Sequence, residues 1–528
     1  GCPEVLNFTV PEKIERIHVN YLNAGSDVVE TNTFGGSELV LTEFDLQDRT
    51  EELNETAAKI ARRAADQFKD RQRFVIGSMG PGTKLITLGQ TGFETLHRAY
   101  FRQACGLLQG GVDGLIIETC QDLLQVKTVL IAARDAMQQT GVSVPLIVSV
   151  TIETTGSMLV GSDISSVLAT VQPFDVDVLG MNCATGPEPM RPYIQQICQG
   201  FPGPVIVQPN AGMPENRGGE MVYTLPIETF AGILADFVKQ YGVNIVGGCC
   251  GTHPGYIEAL YKAVKDIVRE PGQVEPAPAL ASLFTAQTLD QQPKPFYVGE
   301  RSNTNGSKAF RERLLAEDWD GIVHISRQQE QVNAHGLDLC VAYTGRDEQR
   351  DMIEAVSRVV KQVNLPIFID STSTDVIEAA LQRIPGRPVI NSVNLEDGKE
   401  RADRVCQLAK RFGAALIALP IDEQGMAKSV ERKVEVAKRI YDIAVNRHGL
   451  RPQDLIYDAL TFTLGSGDEN MKDAGMATLN GLREIKKALP GVYTILGVSN
   501  ISFGLSPYSR EVLNSVFMAE AVKAGLDL

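Results

Sequence analysis

Short apolar runs alternate with longer amphipathic stretches along almost the whole chain. The stretch 51–68 has apolar residues three and four positions apart, the spacing of an amphipathic helix. Continuous apolar strands that alternate with helices predict a parallel sheet covered on both faces. In the first half, the apolar runs lie at 27–34, 74–81, 114–120, 146–152, 176–183, 204–210 and 244–250.

The pattern is interrupted once and then starts again. Residues 270–295 contain five prolines and little periodicity, so we predict a linker over 269–295. A final segment, 525–528, resembles a strand that is cut short. The apolar runs of the second half lie at 296–302, 337–344, 366–372, 388–394, 414–420, 455–461 and 494–500.

These repeats predict the fold class. A chain of 528 residues is longer than one core usually organises, and each half is close to the roughly 250 residues of a (β/α)8 barrel. We therefore predict an α/β protein with two consecutive (β/α)8 barrels, over 1–268 and 296–528. The first barrel lacks its first strand, and the second is clipped at its last strand. Two doubly wound sheets are the alternative.

Composition excludes several partners and favours one compartment. The net charge of −15 argues against nucleic acid, which needs a basic face. No apolar stretch approaches the roughly 20 residues that span a bilayer, so we predict no membrane partner. The nine cysteines are odd in number and mostly lie in apolar surroundings, which predicts reduced thiols and a cytoplasmic protein.

Three cysteines end strands of the first half, namely Cys183, Cys249 and Cys250. In a barrel, the carboxyl ends of all strands meet at one mouth, where active sites lie. Three thiolates with an open fourth position are typical of a catalytic zinc site. Glycines at 247, 248 and 251 give the backbone the freedom that two adjacent ligands need. The alternatives are buried thiols, a vicinal disulfide, or His253 as a ligand in place of one cysteine.

Polar residues also end strands of this half. Glu118 ends an apolar strand, and a buried carboxylate is costly unless paired, so we expect a cation such as a substrate ammonium beside it. A structural arginine or a helix N-terminus is the alternative partner. Asn32 and Asn210 are further candidates for substrate binding, although asparagine often forms turns.

Five segments of the first half together resemble the homocysteine S-methyltransferase family. The resemblance implies a zinc-binding barrel in which Cys183, Cys249 and Cys250 hold the metal, homocysteine binds as a thiolate, and Glu118 receives its amino group. The family's opening "DGxxGT" strand would come before Gly1. The segments are "VVETNTFGG" (28–36), "IIETCQD" (116–122), "GMNCATGPE" (180–188), "QPNAGMP" (208–214) and "VGGCCGTHP" (246–254).

The second half ends its strands with a different set of side chains. Carboxylates and amides without metal spacing predict a site for a small molecule rich in hydrogen bonds, because aspartate accepts while asparagine donates and accepts. N-caps of the following helices are the alternative for each of them. The candidates are Asn303, Asp370, Asn391, Asp458 and Asn500.

These candidates lie in segments that resemble the pterin-binding family, with methyltetrahydrofolate:corrinoid methyltransferases among its members. The resemblance implies that all five contact the pterin and that Asn500, near N5, is the catalytic candidate. One segment departs from the family: "CVAYTGRDE" (340–348) has Val341 and Tyr343 where Asp and Asn are usual. The matching segments are "GERSNTNGS" (299–307), "FIDSTSTDVIEAAL" (368–381), "VINSVNLEDG" (389–398), "LIYDALTFTLGSGD" (455–468) and "LGVSNISFGL" (496–505).

The order of the two halves resembles the N-terminal half of the cobalamin-dependent methionine synthases. That resemblance implies methyl transfer from 5-methyltetrahydrofolate via cobalamin to zinc-bound homocysteine. The sequence has no corrinoid-binding "DxHxxG" signature, so cobalamin is expected from a separate corrinoid-binding domain or from solution. The alternatives are a cobalamin-independent homocysteine methyltransferase with a degenerate second barrel, and a non-catalytic scaffold that binds zinc or folate.

Overall fold

The computed structural model describes residues 1–268, 274–465 and 473–528. The chain divides into two compact units, Gly1–Pro276 and Ala277–Leu528. Each unit is a curled, parallel, seven-stranded sheet surrounded by helices. The predicted fold class, α/β with two consecutive units of the (β/α)8-barrel type, is confirmed.

The sheet of the first unit follows chain order, β1-β2-β3-β4-β5-β6-β9, and its neighbours are parallel. A doubly wound sheet would reverse its strand order at a switch point, and this sheet does not. An antiparallel hairpin, β7–β8, follows β6. The strands are β1 Val28–Glu30, β2 Phe74–Met79, β3 Gly114–Cys120, β4 Leu146–Val150, β5 Val178–Asn182, β6 Val205–Gln208, β7 Pro214–Arg217, β8 Glu220–Tyr223 and β9 Ile245–Val246.

Five neighbouring strands of this sheet, β2 to β6, contribute buried residues to one core. Five buried β-branched residues from successive strands pack together, namely Ile76, Ile116, Ile147, Val178 and Ile206. The helices cover the outside, and some begin at side-chain caps, such as Asp122 before α6. The helices are α1 Leu6–Thr9, α2 Pro11–Asn23, α3 Glu38–Leu41, α4 Thr50–Ala65, α5 Phe93–Gln109, α6 Leu123–Thr140, α7 Ile164–Val171, α8 Pro187–Gly200, α9 Ile227–Asp236 and α10 Pro254–Val264.

The second unit repeats this arrangement. Its sheet has the order β12-β13-β14-β15-β16-β19-β20, again parallel and in chain order. Two antiparallel hairpins, β10–β11 and β17–β18, accompany it. The strands are β10 Ala279–Ala281, β11 Ala286–Thr288, β12 Val298–Asn303, β13 Gly336–Cys340, β14 Ile367–Asp370, β15 Val389–Val393, β16 Ala415–Ala418, β17 Ile421–Asp422, β18 Gly425–Met426, β19 Leu455–Asp458 and β20 Tyr493–Ile495.

The helices of the second unit also have capped starts, with Ser307, Asp347, Ser373 and Ser429 accepting from backbone N–H groups of the first turn. The N-caps that the sequence offered as alternatives therefore fall on other residues than the five predicted site residues. The helices are α11 Lys308–Leu315, α12 Trp319–Gln331, α13 Glu348–Val359, α14 Thr374–Leu381, α15 Lys399–Phe412, α16 Val430–Tyr441, α17 Ala474–Ala488 and α18 Pro507–Ala524.

Part of the predicted linker belongs to the second unit. Residues 269–273 lie outside the described residues, but the hairpin β10–β11 is well formed, and Leu280 and Leu289 are buried against Phe296 and Val389. Because the segment is rich in proline and has little periodicity, the sequence did not predict these two three-residue strands. The predicted domain limits, 1–268 and 296–528, stay a prediction beside these compact units.

Residues 525–528, which we predicted as a short strand, form no regular strand but lie next to β20. The backbone N–H groups of Asp527 and Leu528 donate to Thr494 O, and Phe296 N donates to Asp527 O at 2.7 Å. Residues 527–528 therefore connect β20 to the segment that leads into β12. None of the helices in the described parts of the chain is both long enough and apolar enough to cross a membrane.

Candidate sites at the carboxyl ends of the strands

The three predicted cysteine ligands meet at the carboxyl end of the first sheet. Cys183 follows β5, and Cys249 and Cys250 follow β9. The Sγ atom of Cys250 lies 3.8 Å from that of Cys183 and 4.0 Å from that of Cys249, and all three lie within 4.8 Å of one another. Tetrahedral zinc with Zn–S bonds of about 2.3 Å needs sulfur atoms about 3.8 Å apart. The thiols therefore fit three corners of a zinc site.

The local backbone explains how adjacent cysteines both reach this point. Cys183 has a left-handed backbone, with φ of 63°, and Gly251 has φ of 79°. A Cβ atom on Gly251 would lie 2.3 Å from Cγ of Tyr223, so glycine is needed there for space as well as for conformation. Cys249 N donates to Pro209 O at 2.8 Å, and Cys250 N donates to Asn210 Oδ1 at 3.1 Å.

Asn182, the last residue of β5, lies beside the cluster. Its Nδ2 donates to Thr119 Oγ1 at 2.7 Å and lies 3.9 Å from Cys249 Sγ. Its Oδ1 accepts from Ser149 Oγ at 2.7 Å and from Thr119 N at 3.0 Å. The amide is thus held from both sides and orients Cys249, a contact that our sequence analysis did not predict.

The thiols influence one another's protonation. Hydrogen bonds with Cys183 and Cys249 lower the pKa of Cys250, and hydrogen bonds with Cys183 and Cys250 raise the pKa of Cys249. These contacts favour a thiolate at Cys250 and a thiol at Cys249. A cation can bind to such a cluster without three thiolates having to form and repel one another beforehand.

Two carboxylates, the buried Glu118 and the partly buried Glu30, lie in the same unit. Ser78 Oγ donates to Glu118 Oε1, and Gln208 Nε2 donates to Glu30 Oε1 at 2.7 Å. Burial and then the charge of Glu30 raise the pKa of Glu118 well above its usual value, and the pKa of Glu30 is also raised by burial. A cation beside them would relieve both effects. Glu30 was missed, although its place at the end of β1 was a usable signal.

The other predicted residues of the first unit are further from this chemistry. Asn210 is buried and orients the backbone of Cys250. Asn32 Nδ2 donates to Pro3 O at 3.0 Å, and its carbonyl accepts from Asn7 Nδ2, which favours the turn-forming interpretation. His253 Nδ1 accepts from Gly255 N at 3.1 Å and caps α10, so its ring has a structural task instead of the alternative ligand role.

In the second unit, four polar side chains form one hydrogen-bonded network. Asn303 Nδ2 donates to Asp338 Oδ2 at 2.9 Å and to Asp370 Oδ2 at 3.0 Å. Asn391 Nδ2 donates to Asp338 Oδ1 at 3.2 Å. The four residues come from the neighbouring strands β12, β13, β14 and β15. The structure therefore brings together three of the five predicted residues around one that was not predicted.

Asp338 corrects our interpretation of the departure from the family pattern. From the sequence we inferred that Val341 and Tyr343 replace the carboxylate and the amide that the family usually has. In the structure, Val341 is fully buried and Tyr343 is 41% exposed. The carboxylate comes from Asp338, three residues earlier, whose side chain points into the network. Burial, followed by the charge of Asp370, raises the pKa of Asp338 to about 7.

Asp458 and Asn500 make separate contacts. Asp458 ends β19, and its Oδ1 accepts from Leu460 N at 2.8 Å. Burial raises the pKa of Asp458 to about 6. Asn500 lies in the 3-10 helix Val498–Ser502 after β20 and is exposed. Among the described residues, no hydrogen bond joins either side chain to the network around Asp338.

The geometry defines a class of protein: a tandem α/β-barrel protein with a cluster of three thiols that could hold a metal ion in one unit and an amide–carboxylate network in the other. A model of the homocysteine S-methyltransferase family matches residues 1–264, and a model of the pterin binding enzymes matches residues 299–528. The chain belongs to the homocysteine S-methyltransferase family and carries a pterin-binding domain after it.

Curated relatives align with the whole chain. The methionine synthase of Mycobacterium tuberculosis (strain ATCC 25618 / H37Rv) is 45% identical over 532 residues, which cover 100% of this chain and 45% of that protein. The methionine synthase of Mycobacterium leprae (strain TN) is 45% identical over 537 residues, covering 100% and 44%. This chain therefore spans less than half the length of these relatives.

A solved structure is similar to the first unit. The metallated form of the homocysteine methyltransferase MmuM from Escherichia coli is 22% identical, covers 49% of this chain and 86% of its own, and has a TM-score of 0.41.

Proposed function

We propose that this chain methylates homocysteine to methionine with a methyl group from 5-methyltetrahydrofolate. In this proposal the methyl group passes between the two units on cobalamin, supplied by a corrinoid-binding domain or from solution. The observation that carries the proposal is the cluster of Cys183, Cys249 and Cys250 at the mouth of a unit that belongs to the homocysteine S-methyltransferase family.

The first unit supplies the acceptor site. Cys183, Cys249 and Cys250 would hold zinc, and their sulfur spacing and soft donor set suit that metal. Zinc there would lower the pKa of the thiol of homocysteine, so that the thiolate is available at neutral pH. Asn182 and Asn210 keep the cysteines in place through Cys249 Sγ and Cys250 N.

The substrate's ammonium would bind to the carboxylates of Glu118 and Glu30 in the same unit. Burial raises the pKa of both Glu118 and Glu30, and the charge of Glu30 raises the pKa of Glu118 further. An ammonium group beside them returns both to the charged form and gains two charge-assisted hydrogen bonds. Ser78 and Gln208 hold the carboxylates in position for this contact.

The second unit supplies the donor site. Asn303, Asp338, Asp370 and Asn391 form a network with donors and acceptors already oriented, which suits the amino-pyrimidinone edge of a pterin. Asp458 adds a third carboxylate, which is partly buried. Asn500 is the proposed partner of N5, the atom that releases the methyl group. An amide polarises N5 but is no acid, so the proton that N5 needs comes from water or the ligand network.

The intact network argues against the interpretation of a degenerate second barrel. A degenerate site would leave buried polar groups unpaired, whereas Asp338 accepts hydrogen bonds on both of its carboxylate oxygens. We also propose a cytoplasmic location, since none of the nine cysteines is joined to another in a disulfide.

Half-reactions on the zinc-analysed chain test the proposal. Cob(I)alamin with 5-methyltetrahydrofolate tests the second unit, and methylcobalamin with homocysteine tests the first, both followed by the corrinoid spectrum. We expect both to proceed. Activity in the homocysteine reaction alone would mean that the second unit has diverged. Failure of both reactions with stoichiometric zinc bound would favour a non-catalytic scaffold.

A further inference from the structure

A lysine is buried behind the proposed folate site. Lys433 lies in the first turns of α16, and its side chain is 0% exposed. Gly481 of α17 makes room for its stem, because a Cβ atom there would lie 2.9 Å from Lys433 Cδ. The stem of the side chain thus passes against α17 and carries the ammonium toward the end of β19.

All three donors of this ammonium have acceptors on the backbone. Lys433 Nζ donates to Ala459 O at 2.6 Å, to Ala427 O at 3.0 Å and to Leu460 O at 3.3 Å. It also lies 5.1 Å from the centre of the Phe462 ring. In the described parts of the chain, no carboxylate forms an ion pair with it. A buried ammonium is costly unless its donors are met, and here peptide carbonyls meet them.

Two of these carbonyls belong to the residues that follow Asp458. Leu460 has a left-handed backbone with φ of 58°, a conformation that residues other than glycine rarely adopt. Leu460 N donates to Asp458 Oδ1 at 2.8 Å, while Leu460 O also accepts from Thr478 Oγ1 at 3.0 Å. Lys433 therefore holds, through Ala459 O, the peptide whose N–H group orients the Asp458 carboxylate. Lys433 and Thr478 together hold the next peptide through Leu460 O.

We propose that Lys433 is a positioning residue for folate binding, which acts through Leu460 on Asp458. The inference rests on the proposed function, because it takes folate as the ligand of this mouth. Lys433 fixes the carbonyls of Ala459 and Leu460, the fixed turn presents Leu460 N to Asp458 Oδ1, and the other carboxylate oxygen is left to face the ligand. The buried ammonium also favours the ionised form of Asp458 through its charge.

A double-mutant cycle tests this role by titration calorimetry with 5-methyltetrahydrofolate. The proteins are the unaltered chain, Lys433→Met, Asp458→Asn and the double variant. We expect Lys433→Met to weaken folate binding about tenfold in the unaltered background and less than about twofold in the Asp458→Asn background, since the effect passes through Asp458. Equal losses in the two backgrounds, or no loss at all, would overturn the inference.

The pH dependence gives a readout that general destabilisation would not move. Removal of the ammonium raises the pKa of Asp458, so the acidic limb of the affinity profile moves to higher pH in Lys433→Met. A loss of affinity that is uniform across pH would count against the role. Lys127→Met is the matched control, because Lys127 is a buried lysine of the first unit, and we expect unchanged folate affinity.

Folding is checked with Trp319, the only tryptophan of the chain, which lies in α12 of the second unit. If Lys433→Met does not fold, Thr478→Val removes the other hydrogen bond to Leu460 O and should show the same dependence on Asp458. If the effect of Thr478→Val does not depend on Asp458, the inference is overturned. If the unaltered chain binds no folate, the proposed function fails and the inference fails with it, which differs from failure in the cycle alone.

Discussion

The two units have the same architecture and opposite site chemistry. At the carboxyl ends of its strands, the first unit carries three thiols within 4.8 Å of one another. The second carries an amide–carboxylate network around Asp338 at the corresponding edge of its sheet. The thiols leave a place for a cation, whereas the network already pairs most of its own donors and acceptors.

This difference teaches that the barrel sets where a site forms and that the residues ending each strand set what it binds. Parallel strands bring residues distant in sequence, such as Cys183 and Cys250, to one edge in either unit. Soft sulfur atoms close together suit a metal ion, and fixed hydrogen-bonding groups suit a planar heterocycle. The two sites should therefore fail independently when mutated.

The largest effect is expected from Cys249→Ala. Loss of one of three ligands should abolish stoichiometric zinc binding and reduce homocysteine methylation by at least about 1,000-fold, because the remaining thiols cannot complete the site. Metal analysis and the methylcobalamin–homocysteine assay measure this. Folate binding should be unchanged, and Cys198→Ala on α8 should keep its zinc. Retained zinc in Cys249→Ala would refute the ligand assignment.

Asp370→Ala tests the site of the second unit. It removes an acceptor of Asn303 and a proposed contact to the pterin, so folate affinity should fall about 10- to 100-fold. Zinc content and methylation from methylcobalamin should not change. Calorimetry with 5-methyltetrahydrofolate measures the affinity, and equal affinity in the variant would remove Asp370 from the site.

Glu118→Gln separates substrate binding from metal binding within the first unit. The amide keeps the shape of the side chain but not its charge, so the KM for homocysteine should rise about tenfold while zinc stays bound. Steady-state kinetics at fixed methylcobalamin measure this. An unchanged KM would mean that Glu118 serves the fold through Ser78 and not the substrate.

The smallest effect concerns the pH dependence of stability in the second unit. The folded-state pKa of Asp338 is about 7, whereas an unfolded aspartate has a pKa of about 3.9. Between these values the folded state keeps a proton that the unfolded state has released, so stability falls as pH rises toward 7 and then levels off.

We therefore expect the unfolding free energy to be about 2 kcal/mol lower at pH 8 than at pH 5, and Asp338→Asn to flatten this dependence. Denaturant unfolding followed by Trp319 fluorescence reports on the second unit. The same slope in Asp338→Asn would show that Asp338 is not the group responsible.

Most of the fold could be predicted from the sequence because its signals are local. Each apolar run of four to eight residues can be recognised by itself, and fourteen of them appear as paired strands in the described structure. The exceptions in the described residues are the hairpins β7–β8, β10–β11 and β17–β18, whose strands of two to four residues are too short for a clear periodicity. Packing of Leu280 and Leu289 holds β10–β11.

The sites could be predicted only in part. Cysteine, glutamate and asparagine residues at strand ends indicate the mouth of a barrel. This reasoning identified Cys183, Cys249, Cys250 and Glu118 as candidates. It did not reach Asp338, because an aspartate inside a strand can point to either face, and one residue of register separates a site residue from a surface residue. The family pattern led us to look for this carboxylate at position 341, whereas it lies at Asp338, three positions earlier.

The sequence by itself determined the two barrel-type units, the edge of each sheet where chemistry gathers, and the soft or hard character of each set of side chains, because these depend on residue type and local periodicity. Only the tertiary structure decided that Asn182 lies beside Cys249, that Glu30 faces Glu118, that Asp338 joins Asn303 to Asn391, and that Lys433 holds the turn after Asp458. These contacts join residues 26 to 88 positions apart in the sequence, and only the tertiary fold fixes their distances.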